Sequence, residues 1–267
     1  MTQAYVNLPE GQIHYHSAGQ GDALLLLHQA PLSAVEWAPL MPLLSPHFRV
    51  IAPDMVGHGN SYDPPHEFAM ADFTRSTLAL MDALRIDRAV ICGNHSGAAL
   101  ASSLAIHHPD RVSRVILSSD MLMTTAQAAG YLAKLRSRPL SRELPLTGDG
   151  DFLVQAWQRY AALAPGAPLS LRLQAFAVGL AARQRPFDAH EAVLCWRTEA
   201  DQLARVRCPK LVYAAENDLF FTPAELSAAL QQRPDCDTVL LRDAGALSPL
   251  EAPAALAAAI LRFAQPS

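Results

Sequence analysis

The sequence predicts an α/β architecture: a mostly parallel sheet of about eight strands, helices on both faces, and a helical lid. Three observations carry this. Short apolar runs alternate with stretches whose apolar residues recur at helical spacing. The segment from Ala89 to Leu100 reads as a strand, a sharp turn and a helix start. The stretch 121–204 breaks the alternation and is nearly all helix-like, interrupted by Pro139, Pro145, Gly148-Asp149-Gly150, Pro165-Gly166 and Pro168.

Taken in order, residues 4–8 and 12–17 form a strand pair joined by the turn Pro9-Glu10-Gly11. Strands follow at 23–27, 49–52, 89–93 and 112–118, with helices at 71–84 and 97–107 between them. Strands at 210–215 and 238–241 complete the set. The last helix, 252–263, is alanine-rich and starts around Pro253, where a missing N–H costs nothing. The organisation expected is a core of residues 1–120 and 205–267, with 121–204 inserted as a helical lid after the strand ending near Ser118. Lids of this kind cover active sites and shape substrate choice.

The chain of 267 residues, 51% of them apolar and 17% charged, has material for a sizeable core. A net charge of −4 gives no electrostatic reason to expect nucleic acid or an anionic membrane surface. Apolar runs such as 23–27 are too short to span a bilayer, and the first residues carry neither a basic nor an apolar leader region. Cys92, Cys195, Cys208 and Cys236 show no C-x-x-C spacing, so reduced thiols in a cytoplasmic protein are expected. No glycine-rich phosphate loop or dense metal cluster appears, so no cofactor is implied. The partner expected is a small molecule, and the protein a monomer or homodimer.

Five blocks resemble the α/β-hydrolase superfamily, in the right order. Leu25-Leu26-Leu27-His28-Gln29-Ala30-Pro31 is similar to the oxyanion-loop motif, leucines followed by H-G-x-P. Residues 49–61, RVIAPDMVGHGNS, are similar to the block R-V-I-A-x-D-x-x-G-x-G-x-S. His108-Pro109-Asp110-Arg111-Val112 resembles the entry to the sixth strand, and Ala215-Glu216-Asn217-Asp218 the place of the catalytic acid. Residues 243–253, DAGALSPLEAP, are similar to the loop G-H-x-x-x-x-E-x-P that holds the catalytic histidine. Three positions depart from the pattern: Gln29 replaces the oxyanion glycine, His95 the nucleophile of G-x-S-x-G, and Ala246 the histidine. Of the triad only the acid, Asp218, falls where the resemblance puts it. The chain looks like a subset written H-Q-x-P with G-x-H-[ST]-G.

Alanine at 246 cannot accept a proton, and loss of a triad base typically costs ~10⁴–10⁶ in kcat. His95 is the candidate substitute: an imidazole at the elbow acts as a base near neutral pH, oriented by Asp218 or by Asp120. Its alternative is a relic, donating to a carboxylate of an ancestral triad. Ser96 serves as nucleophile if the turn shifts by one, with Asn94 and Ala98 flanking it; its alternative is a capping serine at the helix start. The N–H groups of Ala30 and Ser96 are the expected oxyanion donors. His28, Gln29, Ala30, Asp120 and Ala246 are the expected substrate contacts, with a buried structural role favoured for His28. A metal site of His28, His95 and Asp120 or Asp218 can be drawn, but no spacing supports it. His58 reads as scaffold and His190 as an exposed residue of the lid. Trp37, Trp157, Trp196, Phe152 and Phe176 line the cleft or pack the lid, core being the commoner role.

The leading function is an enzyme on a small, fairly apolar molecule carrying a carbonyl, an ester or an activated C–C bond. The competing one is a non-catalytic binding protein that keeps the pocket.

Overall fold

Leucine and β-branched runs with no polar alternation form strands covered on both faces, because neither face has side chains that tolerate water as neighbour. The computed structural model describes residues 1–137, 148–163, 166–182, 189–217 and 219–264. The chain opens with strands β1 (Thr2–Leu8), β2 (Gly11–Ala18) and β3 (Ala23–Leu27), a short helix α1 (Met41–Leu44) and β4 (Arg49–Pro53). Then come α2 (Met70–Ala83), β5 (Ala89–Gly93), α3 (Ser96–His107) and β6 (Val112–Ser118). Helices α4 (Thr125–Ser137), α5 (Asp151–Leu163), α6 (Leu169–Ala182), α7 (Ala189–Glu199) and α8 (Gln202–Arg205) separate β6 from β7 (Lys210–Ala215). The chain closes with α9 (Pro223–Gln231), β8 (Asp237–Leu241), α10 (Ser248–Glu251) and α11 (Pro253–Ala264).

The eight strands form one sheet in the order β1-β2-β4-β3-β5-β6-β7-β8. β1 and β2 are an antiparallel hairpin with Leu8 opposite Gly11, β2 meets β4 antiparallel, and every later pairing is parallel. Alternate residues of each strand serve different layers, as the two-residue period of a strand requires. Leu25, Leu27, Ile91, Val115 and Val212 pack with Leu80, Leu100 and Leu104 from α2 and α3. Leu24, Leu26, Val90, Ile116 and Leu211 pack with Trp37, Met41, Leu44, Leu256 and Ile260 on the other face.

The sheet reverses direction of growth at β3, which has β4 on one side and β5 on the other. Ligands of open α/β sheets bind outside the carboxyl ends of strands at such a switch point. Over that end lie α4, packed on α7, and α5, packed on α6, while α7 also touches α2 and α3. No helix among the described residues is long and apolar enough to cross a membrane.

Several short elements escape the sequence reading: the 3-10 turns Ala34–Trp37 and Pro109–Arg111, the one-turn helices α1 and α10, and α9. Of these α9 carries a legible signal, because Thr222 and Glu225 form a capping box around Pro223.

Candidate active site

The turn from β5 into α3 brings three backbones together. A Cβ on Gly93 would overlap the Gly97 carbonyl, and one on Gly97 would overlap the carbonyl of Leu27. Glycine at both positions therefore lets α3 start against the ends of β3 and β5. His95 takes the apex with φ 45° and ψ −111°, a conformation that costs a non-glycine residue ~1–3 kcal/mol. The turn is thus centred on His95. The shifted turn needed to put Ser96 at the apex is corrected: Ser96 is the first residue of α3.

His95 N–H donates to Ser118 Oγ at 2.7 Å, and its Nε2 lies 3.2 Å from the carbonyl oxygen of Ala246. A carbonyl only accepts, so Nε2 carries the ring proton. Nδ1 is buried and, among the described residues, has no hydrogen-bond partner. The Phe220 ring meets the imidazole edge-on with centroids 5.3 Å apart.

Ser96 Oγ accepts the Ala30 N–H at 2.6 Å. The Ala30 amide assigned to an oxyanion hole is therefore already engaged, which corrects that expectation: a substrate oxygen must displace the hydroxyl or accept its proton. Among the described residues this amide is the hydroxyl's one hydrogen-bond partner, and no imidazole reaches it. A serine without a base stays a weak nucleophile. Treatment with a fluorophosphonate is expected to leave Ser96 unmodified in the intact-protein mass spectrum. An adduct lost in Ser96→Ala would overturn this.

His28 is fully buried, donating from Nδ1 to the Gln29 carbonyl at 2.8 Å and accepting the Met55 N–H on Nε2 at 2.9 Å. Burial holds it below the ordinary histidine range, against the pull of Asp54 and of the Gln29 carbonyl. With both nitrogens committed to backbone it clamps the ends of β3 and β4 together and does not line the cavity. The geometry agrees with the buried structural role favoured for His28 and not with a substrate contact, and His28 drops out of the metal set drawn above.

Gln29 borders the cavity, and its N–H donates to Glu36 Oε2 at 2.8 Å. Glu36 has no exposed surface; its Oε1 accepts from Asn94 Nδ2 at 2.7 Å. Asn94 in turn accepts the Tyr213 hydroxyl at 2.9 Å. Burial pushes the Glu36 carboxyl up to about 8, the two hydrogen bonds only partly opposing it. The sequence reading missed this residue. Its signal was a lone acid inside the apolar run from Leu32 to Leu44, where packing leaves it no route to water.

A carboxyl raised in the fold binds a proton that the unfolded chain has released. Stability is therefore fullest below about 4.5 and declines as pH rises to about 8, at up to ~1.4 kcal/mol per unit. Urea denaturation at pH 5.5 and 7.5 is expected to show wild type losing roughly 1–3 kcal/mol more than Glu36→Gln over that interval. Parallel losses in the two proteins would count against it.

Asp120 borders the cavity but is already paired. Arg197 Nη1 donates to its Oδ2 at 3.0 Å, both groups being buried, and Ser118 donates its hydroxyl to Oδ1. Asp120 therefore reaches the His95 backbone N–H through the Ser118 hydroxyl. Burial lowers Arg197 from the usual guanidinium range while Asp120 holds it up. Ala246 also borders the cavity, contributing its methyl and the carbonyl that holds His95. Asp218 lies outside the described residues.

The cavity above these groups has a volume of about 710 Å³. Its aromatic side chains are Tyr131, Tyr160 and Phe220, and His190, expected on the surface, is half-buried at its wall. None of the tryptophans borders it: Trp37 is buried beneath the sheet, and Trp157 packs edge-on against Phe176 at 5.5 Å. Among the described residues, Asp120 is the one carboxylate at its wall, and Arg197 neutralises it.

Comparison with known proteins matches residues 22–253 to a family model described as the alpha/beta hydrolase fold. A 2-hydroxy-6-oxo-2,4-heptadienoate hydrolase of Pseudomonas putida is 36% identical over 110 residues, 40% of this chain and 40% of that protein. A 2-hydroxymuconate semialdehyde hydrolase of a Pseudomonas species is 38% identical over 110 residues, 38% of each. The chain thus matches about two fifths of the length of these curated relatives. In three dimensions it resembles the enol-lactonase of Burkholderia xenovorans, with a TM-score of 0.73 and 25% identity, over 98% of this chain and 99% of that one.

Proposed function

The chain belongs to the alpha/beta hydrolase fold family, and from that premise we propose that it is an enzyme of small apolar carbonyl compounds in which His95 takes the place of the nucleophile. One observation carries the reading. His95 combines a strained backbone, φ 45°, with a buried Nδ1 that has no partner among the described residues. Each feature costs ~1–3 kcal/mol, and such costs gather where function requires them.

The division of labour follows from the protons. Nδ1 holds the lone pair but is closed off from the cavity, so the imidazole must turn on its side-chain bonds before a substrate O–H, an acidic C–H beside a carbonyl or an attacking water finds its acceptor there. Ser96, whose oxygen is held by Ala30 N–H, has its own proton free to give to the substrate's carbonyl oxygen. Asp120 and Ser118 keep the elbow backbone in place. The helices between β6 and β7 act as the lid, with Tyr131, Tyr160 and His190 facing the substrate. Asp218 is kept as a candidate acid at this site on the strength of the sequence block alone. The relatives named above act, by their names, on 2-hydroxy-6-oxo-dienoates, a semialdehyde and enol-lactones; substrates of that kind, with an activated C–C bond or an ester beside a carbonyl, suit the apolar cavity.

The test is turnover of a panel of 2-hydroxy-6-oxo-dienoates, enol-lactones and aryl esters by wild type and His95→Ala. A rate with an ascending limb near neutral pH that vanishes in His95→Ala supports the enzyme. The second reading, a binding protein, is favoured by the engagement of Ala30 N–H by Ser96. Tight binding of panel members to wild type with no turnover would replace the first reading by it.

A further inference from the structure

Behind His95 stands a buried polar chain that the sequence motifs do not contain. The Ala246 carbonyl that takes the His95 Nε2–H also accepts Asn94 Nδ2 at 3.3 Å. The same Asn94 nitrogen donates to Glu36 Oε1 at 2.7 Å, and Tyr213 fixes the amide's orientation by donating to its Oδ1 at 2.9 Å. Glu36, Asn94 and Tyr213 have essentially no exposed surface, so no water substitutes for a lost partner.

We infer that Glu36 is a positioning residue: through Asn94 it fixes the Ala246 carbonyl, and that carbonyl sets which nitrogen of His95 carries the proton. Two donors, the Gln29 amide and the Asn94 amide, each take a separate oxygen of Glu36. With both oxygens accepting, as they do in the carboxylate form present above about pH 8, the Asn94 nitrogen must face Glu36 and Ala246, and its oxygen must face Tyr213. Ala246 then presents a fixed acceptor to His95, which a side chain at that position presents in an intact triad. The backbone carbonyl has taken over the task of holding the imidazole, and Glu36 is its anchor.

The groups facing Glu36 are the Cys92 thiol of β5 and the Tyr213 hydroxyl of β7, both pushed up by burial, together with the neutral amides of Gln29 and Asn94. Among the described residues no lysine or arginine pairs with it. Its influence on His95 therefore passes along the hydrogen bonds and not through a neighbouring cation.

Glu36→Gln tests this with little change of shape. Glutamine has one acceptor for two donors, so either the Gln29 amide loses its partner or Asn94 turns over and points its oxygen at the Ala246 carbonyl. The readout is the tautomer and titration of His95, followed by NMR of histidine-labelled protein. Above about pH 8, where Glu36 is ionised, wild type is expected to hold the Nε2–H form, and Glu36→Gln to shift the tautomer ratio by roughly three- to tenfold. Asn94→Ala cuts the same link from the other side and is expected to shift the ratio likewise, should Glu36→Gln fail to fold. A folded variant with lowered thermal stability and an unchanged His95 ratio would make Glu36 merely structural and overturn the inference. The consequence for turnover, a lower kcat at nearly constant KM, rests on the proposed role of His95. The NMR readout does not, so the two ideas fail separately.

Discussion

His95→Ala is expected to lower kcat by ~10²–10⁴, the usual contribution of a positioned acid–base group. The loss should appear in kcat more than in KM, because the apolar walls that bind the substrate are untouched. The companion variant His95→Gly makes the reading sharper. Glycine relieves the φ of 45° and removes the orphaned Nδ1, so it is expected to gain ~1–3 kcal/mol in urea denaturation while losing activity to the same extent. A residue that makes the protein less stable and yet supports turnover is retained for its chemistry. If His95→Gly were both less stable and fully active, the imidazole would be scaffold, and the site would have to be sought elsewhere in the cavity.

Gly97→Ala is expected to be a severely damaging single methyl. The added carbon would overlap the carbonyls of Leu27 and His28, which are backbone atoms at the end of a central strand and cannot swing aside. Separating α3 from β3 to make room would open the core between them, at an expected cost of about 4 kcal/mol or more. For a chain of this size that lowers the melting temperature by roughly 8–15 °C. Gly130→Ala is the control. Gly130 lies in α4 with open space where the new methyl would go, so the same substitution should be neutral or stabilise by up to ~1 kcal/mol. Equal melting temperatures for the two variants would mean that the elbow yields where its geometry says it cannot.

The fold was legible because its signals are local and repeated. ALLLL and AVICG have no polar face, so they had to be inner strands, and the paired Gly93 and Gly97 announced a close crossing of strand and helix. The apex of the turn was legible for the same reason. What Asp120 and Ala30 do was not. Each is a polar group whose role depends on a partner far along the chain: Arg197 for Asp120, Ser96 for Ala30. A motif gives the residue and its approximate place but does not say which of its hydrogen bonds are already taken. Glu36 was missed because a single acid in an apolar run looks like noise until its burial is known.

Residue type and spacing were enough for the succession of strands, the sharp turn after β5 and the absence of a histidine at 246. Only the tertiary structure decided that the imidazole proton sits on Nε2, that the Ala30 amide is occupied, and that a buried acid stands behind the elbow. The reason is physical: patterning of apolar residues fixes which surfaces are buried, whereas hydrogen bonds between groups distant in sequence form only after burial has brought them within about 3 Å of one another.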